Sequence, residues 1–223
     1  MDREKSATAQ ICAFRRKGLM QDFATLATVE AYWEGVRGGR PCPPPRAAID
    51  PRGLEGALSG AFLVERIAPG QARLRIAGRD LAAMMGMDTR GMPLSALFLP
   101  EARARLEGVL ELLFDGPARL EVALAAPGAA GAPRLKARML LLPLCDREGH
   151  VSRALGALEL AGDVGRAPPR RMAIAGCHSR PLDAAAPFPG LAEGRAGFAP
   201  APRLRGRPRL VLVRSANPPR GAG

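Results

Sequence analysis

The sequence predicts an α+β fold: a five-stranded antiparallel sheet covered by short helices and one long helix, with an N-terminal flanking helix. Three observations carry this. Two short apolar stretches, the second strictly alternating, flank a Pro69-Gly70 turn; residues 100–115 repeat apolar side chains at helical spacing; and three further strand-like stretches follow. Consecutive strands joined by hairpins pair antiparallel, and helices inserted between them pack on a face of the sheet.

Residues 19–37 read as an amphipathic helix. Leu19, Phe23 and Leu26 recur at i, i+4 and i+7, and Val29, Trp33 and Val36 repeat the pattern. Gly38-Gly39 stops it. Arg40-Pro-Cys-Pro-Pro-Pro-Arg46 lacks four amide donors and must be an extended connector. Leu58–Ile67 is a short apolar run, and beyond the turn Ala72, Leu74 and Ile76 alternate with Arg73 and Arg75, which predicts a half-exposed second strand. Arg79–Met87 is a small helix with Leu81, Met84 and Met85 on one side, and Leu94–Phe98 another short helical piece.

Pro100 opens the long helix in its first turn, where a missing N–H costs nothing. Ala102, Leu106, Val109, Leu110 and Leu113 form its apolar face, and Asp115-Gly116 closes it on a left-handed glycine. Leu120, Val122 and Leu124 then alternate with Arg119 and Glu121. Pro127–Pro133 reads as a flexible loop. Leu135–Leu144 begins with alternation and ends as a buried run, Asp146–Gly149 turns, and Val151–Leu160 returns as the last strand.

The formal net charge of +12 is unevenly placed. Residues 1–20 hold five basic and two acidic side chains, and residues 163–223 hold eleven Arg against three acids. The body between is nearly neutral, with 17 basic and 16 acidic residues. A nucleic-acid-binding domain is expected to carry its charge on a folded face, so the body is not expected to bind nucleic acid. The excess is also almost all Arg: only Lys5, Lys17 and Lys136 are lysines, a usage that a GC-rich coding sequence explains. The organisation expected is a basic N-terminal tail (1–18), one folded domain (19–162) and a largely disordered Arg/Pro/Gly-rich tail (163–223), with Leu210–Val213 its one strand-like stretch.

Cys12, Cys42, Cys145 and Cys177 show no paired spacing of the kind that marks a disulfide framework or zinc knuckle, and reduced thiols in a cytoplasmic protein are expected. The first twenty residues contain no apolar stretch long enough for a secretory signal. The longest apolar window, Met139–Cys145, is seven residues and includes Pro143, too short for a membrane span.

Particular residues sharpen the fold reading. Tyr32-Trp33 is followed by Arg37-Gly38-Gly39-Arg40 and then Ile49-Asp50-Pro51; Ala77-Gly78 precedes the first short helix; and Met85-Gly-Met-Asp-Thr-Arg-Gly-Met-Pro-Leu-Ser95 follows it. The late pair Arg138-Met-Leu-Leu-Leu-Pro-Leu144 and Ser152-Arg-Ala-Leu-Gly156 completes the set. Together they resemble an alphaproteobacterial PAS-like domain family of unknown function, over about residues 20–162. The resemblance implies a sensory or protein-interaction domain and brings no catalytic residues with it.

The sequence offers little catalytic chemistry. No Gly precedes a Lys as in a P-loop, no G-x-G-x-x-G turn occurs, and Ser59 in GALSG lacks the preceding Gly of a nucleophile elbow. The only histidines are His150, beside a hairpin turn, and His178, in the tail, and both are expected to face solvent. The cofactors of other PAS domains also lack their residues: 100–115 contains no His for haem, and 79–99 no Cys for a flavin. No cofactor, metal or enzymatic activity is expected.

What remains is an apolar space between the sheet and the helices. Met84, Met85, Met87 and Met92 cluster toward it, as core filler or as an adaptable lining for a small apolar ligand. Met84, Met85, Met92, Leu97, Leu106 and Leu110 are its candidate lining. Arg90 pairs with Asp88, caps a neighbouring helix or, as the less favoured alternative, meets a ligand carboxylate. Tyr32, Trp33 and Arg37 on the first helix either cap the sheet or form an interaction surface, with a homodimer among the outcomes. The expected function is a stand-alone sensory module acting in trans on a protein partner in bacterial signalling, since no output domain follows it. The alternative is a nucleic-acid or acidic-surface binder using Arg203, Arg205, Arg207 and Arg209 of the tail.

Overall fold

A computed structural model describes residues 23–182, apart from 129, 131 and 167. The 1–18 tail, the start of the first helix before Phe23, and Leu210–Val213 lie outside the described residues.

Helix α1 (Ala24–Arg37) leads through the Pro-rich connector to 3-10 turns at Arg46–Ala48 and Pro51–Ala57. The hairpin β1 (Ala61–Ala68) and β2 (Gln71–Ala77) follows, then α2 (Arg79–Met85), a 3-10 turn at Leu94–Leu97, another at Pro100–Ala102 and α3 (Arg103–Phe114). Strands β3 (Ala118–Ala126), β4 (Leu135–Cys145), β5 (Val151–Ala161) and β6 (Ala173–Pro181) complete the chain order. The sheet order is β2-β1-β5-β4-β3-β6, antiparallel throughout.

The predicted fold class holds, with one strand more than expected. Strand β6 lies in the segment expected to be disordered, and pairs with β3 from Ala118–Pro181 to Ala125–Ala173. Folded structure therefore continues well past residue 162. The sequence signal is weak because only Ile174, Gly176 and Cys177 are buried on it, and of these only Ile174 and Cys177 carry an apolar side chain. A smaller correction concerns the end of the long helix. Gly116 is not left-handed; α3 ends on Asp115, which stays right-handed and donates its amide to the Glu111 carbonyl.

Both faces of the sheet are covered, and the strand patterns show how far. On the inner face, α2, the 94–97 turn and α3 bury Phe62, Val64, Leu74, Leu120, Val122, Met139 and Leu158 in one core. On the outer face, Leu26, Val29 and Trp33 of α1 pack with Leu63, Leu140, Leu142, Leu144 and Leu155 in a second. Strand β3 alternates buried and half-buried along its whole length. Strand β4 loses its alternation from Met139 to Leu144, because α1 covers its outer face there. The inner packing is close: a Cβ on Gly156 would stand 2.2 Å from the Phe62 ring, its cross-strand partner.

Candidate functional site

The inner layer gathers the predicted lining. Met84, Met85, Leu97, Leu106 and Leu110 are all buried in the inner core, and half-buried Met92 packs against it. Met87 does not join them. It follows Gly86, whose left-handed backbone ends α2, and its side chain is 52% exposed. Arg90 is exposed and lies 3.8 Å from Asp88, whose carboxylate also accepts the Arg90 amide. The loop carrying it lies against the edge of β2: the Leu74 amide donates to the Met92 carbonyl, and the Gly91 amide to the Leu74 carbonyl. Within this loop Thr89 is fully buried, and its hydroxyl has no hydrogen-bond partner. A buried, unpaired hydroxyl costs about 1–3 kcal/mol and calls for an explanation.

The layer is closed by a segment that sequence reasoning missed. The described residues of 163–172 run from β5 back across the short helices as a strap. The Arg170 amide donates to the Met84 carbonyl, the Met172 amide to the Leu97 carbonyl, and the Leu99 amide to the Met172 carbonyl. Pro168 sits where a side chain on Gly86 would be, 2.7 Å from an ideal Cβ. Arg170 is only 4% exposed and donates to the carbonyls of Val164 (2.7 Å), Pro127 (3.2 Å) and Pro133. One guanidinium thus joins the strap to both ends of the Pro127–Pro133 loop. Arg105 of α3 then reaches the Ile174 carbonyl at 3.0 Å, tying β6 to the same layer. The alternation Met172, Ile174 was the available signal, hidden by the surrounding Arg, Pro and Ala.

The outer face accounts for the Tyr-Trp and Arg-Gly-Gly-Arg motifs. Trp33 is fully buried and donates its indole N–H to the Pro143 carbonyl at 3.1 Å. Tyr32 accepts from the Asp50 amide (2.7 Å) and donates to the Asp50 carbonyl (3.0 Å), while Asp50 caps the next 3-10 turn through the Arg52 amide. Arg37 lies over the Trp33 ring, 5.4 Å from its centroid, and bonds Glu34. Arg40 returns past Gly38 and Gly39 to donate to the carbonyls of Arg37 and Val36 at the end of α1. Trp33 therefore caps the sheet, and Tyr32 and Arg37 fasten the helix and its connector around it.

The start of α1 is held from the sheet. Phe23 offers no side-chain cap; instead Glu159 of β5 accepts the amides of Thr25 (2.8 Å) and Leu26 (3.4 Å). A carboxylate on free amides at a helix N-terminus opposes the helix dipole favourably. Glu159→Ala is expected to lower stability by about 1 kcal/mol, read from the midpoint of urea unfolding. Glu30 of α1 also pairs with Arg119 of β3. Beyond the edge of α1, Arg119, Glu121, His178 and Arg180 line a shallow polar hollow on β3 and β6. His178 and His150 are exposed, as expected.

At the other side of the sheet, half-buried Glu65 meets Arg75 at 2.6 Å, Arg153 at 3.2 Å and Arg73 at 3.6 Å. The hydrogen bond from Arg75, aided by Arg153 and opposed by burial, holds its carboxyl below the ordinary glutamate value. Because the folded pKa is the lower one, this stabilisation is present above the unfolded pKa and fades as pH falls through the folded value. Glu65→Gln is expected to flatten the loss of stability on acidification, measured by urea unfolding from neutral pH down through the carboxylate range.

A family profile described as a PAS domain matches residues 21–159. None of the curated proteins matches the chain. Among solved structures, the light state of the blue-light photoreceptor Aureochrome1 LOV is similar at 15% identity and TM-score 0.37, covering 50% of this chain and 88% of that one. The Rhodobacter sphaeroides LOV protein is similar at 16% identity and TM-score 0.37, covering 65% of this chain and 71% of that one. At these scores the likeness is one of general shape, and nothing those proteins bind or sense comes with it.

Proposed function

Because the chain belongs to the PAS domain family, matched over residues 21–159, we propose that it is a sensory and protein-interaction module acting in trans in bacterial signalling. Its input is a small, mainly apolar ligand held between the sheet and the short helices. The observation that carries the ligand reading is the buried, unpartnered Thr89 hydroxyl in the loop that also bears Met92. Flexible Met side chains give way to a guest more readily than branched ones do, and the hydroxyl supplies one polar contact for it. No reaction is assigned to the chain; its output is a change offered to a protein partner, with a homodimer as one form. Since α1 already covers β4 and β5, contacts with a partner fall to the solvent side of α1 and to the β3–β6 strip. Among the described residues no helix is long and apolar enough to cross a membrane.

Native mass spectrometry of the full-length protein tests this. A retained small molecule, released on unfolding and lost or weakened in Thr89→Val, is the expected result. A chain that carries no adduct, and whose unfolding is unmoved by a panel of small apolar compounds, contradicts the ligand reading. The alternative through Arg203, Arg205, Arg207 and Arg209 concerns residues outside those described. Its deletion test must begin at residue 183, since removal from 163 would also take β6.

A further inference from the structure

The outer-face connector brings together two cysteines that lie far apart in sequence. The amide of Cys145, the last residue of β4, donates to the Pro44 carbonyl at 3.1 Å, and its thiol donates to the Pro43 carbonyl at 3.3 Å. Cys145 also bridges Pro45 in parallel register. Three successive connector residues thus lie against Cys145, and Cys42 is the next residue back. The prolines at 41, 43, 44 and 45 fix φ along this stretch, so its path has little freedom to carry Cys42 away.

The two thiols differ in a useful way. Cys42 is exposed, and Cys145 is half-buried. Burial pushes the Cys145 thiol above its ordinary value, and the charge of Cys42 adds a smaller push in the same direction. Cys177, the third described cysteine, is buried in the core on the other face of the sheet.

We propose that Cys42 and Cys145 form a peroxide-sensitive dithiol whose oxidation joins the connector behind α1 to the end of β4. The exposed Cys42 thiolate attacks one oxygen of a hydroperoxide. The S–O bond forms as the O–O bond breaks, and the departing hydroxide or alkoxide takes a proton, leaving Cys42 as a sulfenic acid. The Cys145 sulfur then attacks the Cys42 sulfur; the S–O bond breaks, the S–S bond forms, and hydroxide leaves with the Cys145 proton as water. Two thiols lose two electrons in all, and the peroxide gains them. The disulfide fixes the connector two residues beyond the Pro143 carbonyl that receives Trp33, so oxidation state and the seating of α1 become linked. This inference is independent of the ligand reading.

The test treats the reduced full-length protein with hydrogen peroxide in the presence of dimedone, followed by alkylation and peptide mapping. The expected product is an intramolecular Cys42–Cys145 disulfide with little dimedone adduct. In Cys145→Ser, dimedone should accumulate on Cys42; in Cys42→Ser, Cys145 should stay alkylatable. Cys145→Ala serves where Ser proves unstable, and circular dichroism confirms that each variant is folded. The proposal is overturned if wild-type Cys42 takes dimedone as fully as in the Cys145 variants. It is equally overturned if Cys42 pairs instead with Cys12, Cys177 or another chain.

Discussion

Trp33→Ala is expected to lower the stability of the fold by about 3–5 kcal/mol. The side chain is completely buried between α1 and the leucines of β4 and β5. A buried Trp removes about 150–250 Å² from water, on the order of 5 kcal/mol at ~25 cal/mol per Å². Its indole N–H also donates to the Pro143 carbonyl at 3.1 Å. Trp33→Phe keeps most of the apolar body and loses the hydrogen bond, so its cost should be nearer 2 kcal/mol. Urea unfolding separates the two variants, and sedimentation shows whether either alters assembly. A Trp33→Ala protein that unfolds like the wild type but changes its association state would move Trp33 from the sheet cap to an intermolecular contact.

Arg170→Ala should cost about 3 kcal/mol or more. Among the described residues the buried guanidinium has no carboxylate partner, and three carbonyls, Pro127 and Pro133 at the two ends of one loop and Val164 in the strap, accept from it. Removing it strands those acceptors and frees the strap from the β3–β4 loop. Arg170→Lys should recover less than half of the loss, because an ammonium on a flexible stem cannot match the planar fork. Both variants keep the Arg170 amide bond to Met84, so the effect reads the side chain alone. Stability within about 0.5 kcal/mol of wild type, the range of an ordinary surface substitution, would show that the clamp contributes nothing.

The sequence disclosed what periodicity can disclose. The Pro69-Gly70 hairpin, the helical spacing from Ala102 to Leu113 and the alternation at Leu120, Val122 and Leu124 each matched an observed element. Each of those segments packs one face against one neighbour, so the pattern of burial is written in its own residues. The six candidate lining residues came together for the same reason.

What stayed hidden depends on partners distant in sequence. Glu159 looks like an ordinary solvated strand residue until α1 arrives with its free amides. Arg170 reads as one more Arg in a basic tail, and only its three carbonyls make it an internal clamp. Strand β6 carries few apolar side chains of its own, since β3 and the inner layer supply most of its burial, and composition therefore pointed the wrong way. Trp33 is compatible in sequence with either a sheet cap or an interaction surface, because an apolar face on a helix does not say which surface it meets.

The central claim is that residues 163–181 belong to the fold, as a strap over the inner layer and a sixth strand beside β3. Native-state hydrogen exchange of the full-length protein tests it most directly. The amides of Arg170 and Met172, and those of β6 that face β3, should exchange on the slow timescale of β3 and β4. Fast exchange through 163–181, with β3 and β4 still protected, would contradict the claim and return the sheet to five strands.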